Sequence, residues 1–206
     1  MNPKLESQPL SLAQYQKLAL STKAPTNFLL EDAIHAGYGM ITETAEIMDN
    51  YKKHIYYKKP LDVVNLVEEL GDLLWYVALG AYSLELTLQA PKENNDLPKG
   101  FSLNNHADIG KILGTLIESS TDFYIECIHS RGEEYIDYRL DFEISRLVQN
   151  IDLMAKICYS DIITVAEMNI EKLRKRYPKG FSENSALVRN TTNELSHIVE
   201  ETKTLL

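Results

Sequence analysis

The chain of 206 residues carries 30 acidic against 21 basic side chains, a net charge of −9, which excludes the broad basic face that nucleic-acid phosphates require. Its 44% hydrophobic and 25% charged content is that of a globular chain able to bury a core. Two cysteines, Cys127 and Cys158, are too few for a disulfide framework and are expected to be reduced and buried. No apolar run approaches the ~18 residues needed to cross a bilayer, and the start Met1-Asn2-Pro3-Lys4-Leu5-Glu6 lacks the apolar stretch of a secretion signal. A cytoplasmic protein with no membrane partner is expected.

The punctuation predicts helices and few strands. Ser11 is an acceptable N-cap for a short helix ending near Leu20, and Pro25 breaks the loop that follows. A long helix is predicted from about Asn27 to Lys58 and, beyond Pro60, a second from Leu61 to Gln89. The segment Pro91–Asn105, with two prolines, a glycine and several asparagines, reads as a loop. Further helices are expected over His106–Ser130, Glu134–Tyr159 and Ile162–Arg176, the last stopped by Pro178-Lys179-Gly180. The residues from Glu183 onward are rich in Ser, Thr and Asn and predict a weakly structured tail.

The fold class expected is therefore all-α, a helical bundle of five or six helices. Leu97-Pro98-Lys99-Gly100-Phe101-Ser102 recurs as Tyr177-Pro178-Lys179-Gly180-Phe181-Ser182, and Gly39–Glu43 has a weaker echo at Gly114–Glu118. These echoes suggest a tandem-duplicated helical hairpin. In the second copy only Glu118 and Asp152 would remain of the acids discussed next, because Thr121 stands for Glu46 and Asn150 falls near Glu69. The division expected is one domain over 1–182, with a metal-binding hairpin at 27–90, a second, structural hairpin at 106–160 and a C-terminal helix at 161–182. The tail is 183–206.

Two acidic pairs carry the chemistry. Glu43-Thr44-Ala45-Glu46 and Glu69-Leu70-Gly71-Asp72 each have i, i+3 spacing, which puts both carboxylates on one side of a helix. The connection around Pro60 is short, so the two helices should run antiparallel, with the pairs offset in height by only ~8 Å. Four carboxylates gathered there would repel one another unless a cation sits among them. A hard divalent ion with oxygen ligands is the natural occupant, Mg²⁺ first and Mn²⁺ as a substitute. A di-iron bundle would instead need two Glu-x-x-His motifs. Glu126-Cys127-Ile128-His129 and Glu194-Leu195-Ser196-His197 have that form, but they are remote from the acidic hairpin in sequence.

Gly39-Met40-Ile41-Thr42-Glu43-Thr44-Ala45-Glu46 followed by Glu68-Glu69-Leu70-Gly71-Asp72-Leu73-Leu74-Trp75-Tyr76 resembles the MazG-type nucleoside triphosphate pyrophosphohydrolases. These belong to an all-α superfamily that includes the dimeric dUTPases. Asn169 through Phe181 resembles that family's C-terminal signature. The long stretch separating the two blocks departs from the compact members of the family. The resemblance implies Mg²⁺-dependent cleavage between the α and β phosphates of an NTP or dNTP, giving a monophosphate and pyrophosphate. It implies Glu43, Glu46, Glu69 and Asp72 as metal ligands, with Asn169, Lys172 and Arg176 near the phosphates.

Lys53 is a further phosphate candidate on charge alone, and Glu43 or Glu46 would take the proton of the attacking water. His35, which aligns with Glu46 on its helix, and Tyr76 are candidates for contact with substrate. Trp75 reads as core before it reads as a stacking surface. Long helical hairpins leave an apolar face that one chain does not cover, so a homodimer is expected. A helical interaction module that has kept the hairpin without catalysis is the reading of a different class.

Overall fold

The computed structural model describes residues 9–129, 138–178, 181–182 and 191–205. Among the described residues there are seven helices and no sheet: α1 (Leu12–Leu20), α2 (Leu29–Tyr57), α3 (Val63–Ser83), α4 (His106–His129), α5 (Tyr138–Ile157), α6 (Ile162–Arg176) and α7 (Thr191–Leu205). The expected start at Glu134, the Lys179-Gly180 step and residues 183–190 of the tail lie outside the described residues.

Local chemistry places the helix starts. At α1 the Ser11 hydroxyl accepts from Gln14 N at 3.2 Å while the Gln14 side chain accepts from Ser11 N at 2.9 Å, a reciprocal capping box. Asp161 opens α6 by accepting from Ile163 N and Thr164 N at 2.8 and 2.9 Å. Asp62 opens α3 through Asn65 N at 3.0 Å. Between α2 and α3, Lys58 adopts φ 56°, reversing the chain before Pro60. The buried Asn50 then clamps the connection by donating to Asp62 O at 2.8 Å.

The helix α3 stops at Ser83, six residues short of the expected Gln89. No Gly or Pro marks this end. Glu85 takes φ 57°, Leu86 N bonds Ala81 O at 2.8 Å, and the exit is secured by a residue distant in sequence. Gln16 of α1 donates to Leu86 O at 3.0 Å and accepts from Leu88 N at 3.1 Å.

The antiparallel pair α2–α3 packs against α4 and α5, with α2 on α4 and α3 on α5, while α1 and α6 both close on α3. Leu66, Leu70, Leu73, Leu74, Val77 and Ala81 of α3 are all buried, so α3 is the central helix of the bundle. Both cysteines are free and buried, as expected. In the second hairpin the acids that remain are matched by the chain's own cations. Arg146 pairs with Glu118 and with Glu143, and Lys156 pairs with Asp152 at 3.1 Å.

In the tail, expected to be at best a weak docking helix, α7 packs on α6 and α3, with Ile198, Glu194 and Thr202 buried. Its few apolar side chains are diluted by Ser, Thr and Asn, so its composition conceals a stripe that only the partner helices make worth burying. Among the described residues no helix is long and apolar enough to cross a membrane.

Candidate metal centre

The antiparallel hairpin brings Glu43, Glu69 and Asp72 together, with one carboxylate oxygen from each lying within 4.8 Å of the others. Among the described residues no other group of three His, Cys, Asp or Glu converges in this way. Glu126 pairs instead with Arg139 at 3.2 Å, and His197 lines a separate groove, so the Glu-x-x-His motifs do not assemble.

Glu69 is the most enclosed of the three, at 6% exposure. Asn65, one turn earlier, donates to its Oε1 at 2.7 Å and is itself held by Asn50 at 3.2 Å. Burial, followed by the charges of Glu46, Glu68, Asp72 and Glu43, pushes the Glu69 carboxyl up to about 8. Burial, Asp72 and Glu46 push Glu43 up to about 7, opposed by a hydrogen bond from Glu69 and the charge of Lys172. Three carboxylates that crowd in this way offer oxygen ligands of the kind a small divalent cation takes.

Glu46 falls outside the trio whose oxygens all lie within 4.8 Å of one another, but its charge still acts on Glu69; it is exposed and lines the same cavity. The expected four-ligand set is therefore three converging carboxylates and one flanking carboxylate.

The cavity above the triad has a volume of about 400 Å³. One wall is aromatic: His35, Trp75 and Tyr76 meet edge to face, with centroids 5.5 Å apart for His35–Tyr76 and 5.0 Å for Trp75–Tyr76. Trp75 is neither plain core nor loose, because its Nε1 donates to Ala19 O at 3.1 Å and Thr22 Oγ1 at 3.2 Å while the residue lines the cavity. Burial lowers the His35 imidazole below its ordinary value, with Asp32 opposing. Arg176, Tyr177 and Phe181 complete the opposite side. A larger groove, about 930 Å³ between α1, α6 and α7, holds no comparable cluster of converging donors.

Tyr76 lies flat over Gly39. A Cβ at that position would stand 2.2 Å from the Tyr76 ring, a distance no rotation of a helical side chain relieves without displacing the ring. Gly39→Ala is expected to displace Tyr76 and so to disturb its edge-to-face contact with Trp75 at 5.0 Å, while the far-ultraviolet circular dichroism stays unchanged. The fluorescence of Trp75, the one tryptophan of the sequence, measures it, and an unchanged emission spectrum would contradict it.

Two expected phosphate contacts are placed differently. Lys172 reaches the acidic hairpin of its own chain, but at 1% exposure it lies behind the acids. Its Nζ is 2.6 Å from Asp72 Oδ2 and 2.9 Å from Glu68 Oε1. Asn169 is likewise buried and donates to Asp72 Oδ1 at 3.2 Å. Neither lines the cavity. Burial alone would lower the Lys172 ammonium, but Asp72 and Glu68 overcome it and raise it. Lys172 is thus a counter-charge to Asp72 and Glu68. Lys53 is half exposed and pairs with Asp49, away from the cavity lining. Glu68 went unremarked as a partner although its position four residues before Asp72 puts it on the same helix face.

Comparison with known proteins adds no relative: no family model, no curated protein and no solved structure matches the chain.

Proposed function

We propose that the protein is a Mg²⁺-dependent nucleoside triphosphate pyrophosphohydrolase, cleaving the α–β bond of an NTP or dNTP. The observation that carries this reading is the convergence of Glu43, Glu69 and Asp72 within 4.8 Å at a cavity walled by His35, Trp75 and Tyr76. A net-acidic chain holds a triphosphate only if a cation reverses the field locally, and an aromatic wall suits a base. The resemblance of residues 39–46, 68–76 and 169–181 to the MazG-type enzymes supports the same reaction class.

In this reading Glu43, Glu69 and Asp72 would hold the ion, which would supply charge neutralisation for the phosphates and the leaving pyrophosphate. Arg176, which lines the cavity, would contact phosphate oxygens as a fork. Glu46, outside the converging trio, is the group best placed to take the proton of the attacking water on a carboxylate oxygen. The water oxygen joins the α phosphorus, and the bridging oxygen departs with pyrophosphate. His35 and Tyr76 flank the nucleoside. The competing reading is an inactive helical module, and an acidic trio with its supporting Lys172 and Asn169 all retained speaks against it.

A panel of common NTPs and dNTPs, each with and without Mg²⁺ and assayed for pyrophosphate, tests the reading. Turnover on at least one nucleotide that disappears with a chelator is expected. Absence of turnover on all of them sinks the enzyme reading.

A further inference from the structure

The carboxylate of Asp72 is held on its far side by a chain of side chains that ends on a different helix. Lys172 Nζ lies 2.6 Å from Asp72 Oδ2. Asn169 donates its Nδ2 to the other oxygen, Asp72 Oδ1, at 3.2 Å, which turns the Asn169 Oδ1 away from the acid. The group that meets this oxygen is the hydroxyl of Tyr15, 2.8 Å distant. With an acceptor in front of it, the phenol must be the donor. The direction of each bond in Tyr15→Asn169→Asp72 thus follows from the inventory of donors and acceptors.

Tyr15 is 0% exposed and comes from α1, a helix separated from Asn169 by 154 residues. The amide packs closely on α3 at a glycine: a Cβ on Gly71 would stand 3.0 Å from Asn169 Cβ and Nδ2. Without the phenol proton, Asn169 Oδ1 would be a buried acceptor with nothing to accept, and the orientation that serves Asp72 would lose its support.

We infer that Tyr15 of α1 is a positioning residue of the metal centre, orienting the Asn169 amide so that Asp72 is held in its ligating pose. The inference rests on the metal reading given above but not on which nucleotide is cleaved. Outer hydrogen bonds of this kind typically govern metal affinity about 10–100-fold.

Mn²⁺ titration by calorimetry on the full chain, without nucleotide, is the test. Tyr15→Phe removes only the hydroxyl and is expected to weaken Mn²⁺ binding about tenfold or more at a temperature where both proteins are folded. Asn169→Ala should weaken binding as well, and adding Tyr15→Phe to it should cost nothing further, because the second change has lost the group through which it acts. A purely structural Tyr15 would lower the melting temperature and leave the Mn²⁺ affinity untouched. That result, or full additivity of the two changes, overturns the inference. If Tyr15→Phe does not fold, the wild-type protein decides. The Asn169 side-chain amide resonances should shift on Mg²⁺ saturation, and unmoved resonances count against the relay. A wild-type protein that binds no Mn²⁺ sinks the metal reading itself. Equal binding by wild type and Tyr15→Phe sinks this inference alone.

Discussion

Glu69→Gln is expected to abolish tight Mg²⁺ binding and to lower turnover by about 10²–10³-fold, the loss that follows removal of one charge-stabilising group from an active site. Glu69 is the buried member of the trio, at 6% exposure, and the change keeps its size. Gln retains an oxygen to accept from Asn65 Nδ2, now 2.7 Å from Glu69 Oε1, so the local helix contact survives. What disappears is the charge. Burial and the neighbouring acids already push this carboxyl up to about 8, meaning that the metal-free protein holds it against repulsion. The variant should therefore melt at the same temperature as wild type or higher without metal, and gain little when Mg²⁺ is added, whereas wild type should gain by mass action. Differential scanning fluorimetry with and without Mg²⁺, paired with a pyrophosphate assay, reads both halves. A variant that still turns over at the wild-type rate would show the ligands to be misassigned.

Mg²⁺ affinity should climb steeply with pH across neutrality. Burial and surrounding carboxylates set Glu43 near about 7 and Glu69 near about 8 in the metal-free protein, so an ion entering at pH 6.5 must displace protons. Below these values affinity should rise about tenfold per pH unit for each proton displaced, then level off above pH ~8 once the carboxylates are ionised. Calorimetry in buffers of different ionisation enthalpy counts the released protons directly. A pH-independent affinity between 6 and 8 would contradict it.

The stability of the metal-free protein should move the opposite way. Both folded-state values lie above those of the unfolded chain, so the folded form binds protons more tightly. Their contribution is fully present below the ordinary carboxylate range and is lost as pH rises through about 7 and 8. With saturating Mg²⁺ that decline should be absent.

Much of this was legible in the chain. The i, i+3 spacing in Glu43/Glu46 and Glu69/Asp72 and the short turn at Pro60 sufficed to place acids of two helices side by side, because helical periodicity is a local property. Ser11 marked the start of α1 for the same reason: a cap bonds its own first turn. Other features had no local signature. The end of α3 at Ser83 depends on Gln16, and the order of α7 depends on α6 and α3. The family resemblance, and for Lys172 its charge as well, suggested that Lys172 and Asn169 lie near the phosphates. Their burial behind Asp72 follows from the rotation of α6 about its own axis, which spacing within α6 does not reveal.

The amino-acid sequence by itself determined that the molecule is helical and that acids of two neighbouring helices face one another, since these follow from periodicity, turn residues and charge within a few residues of chain. Only the tertiary structure decided that Glu46 falls outside the trio of the other three acids and that Lys172 is a buried counter-charge to Asp72. It alone showed that Tyr15, on a helix with no acidic residue of its own, reaches the network around that aspartate. The physical reason is that packing sets how each helix is rotated and offset against its neighbours. A difference of one residue in that rotation turns a side chain about 100°, enough to exchange a cavity wall for a buried support.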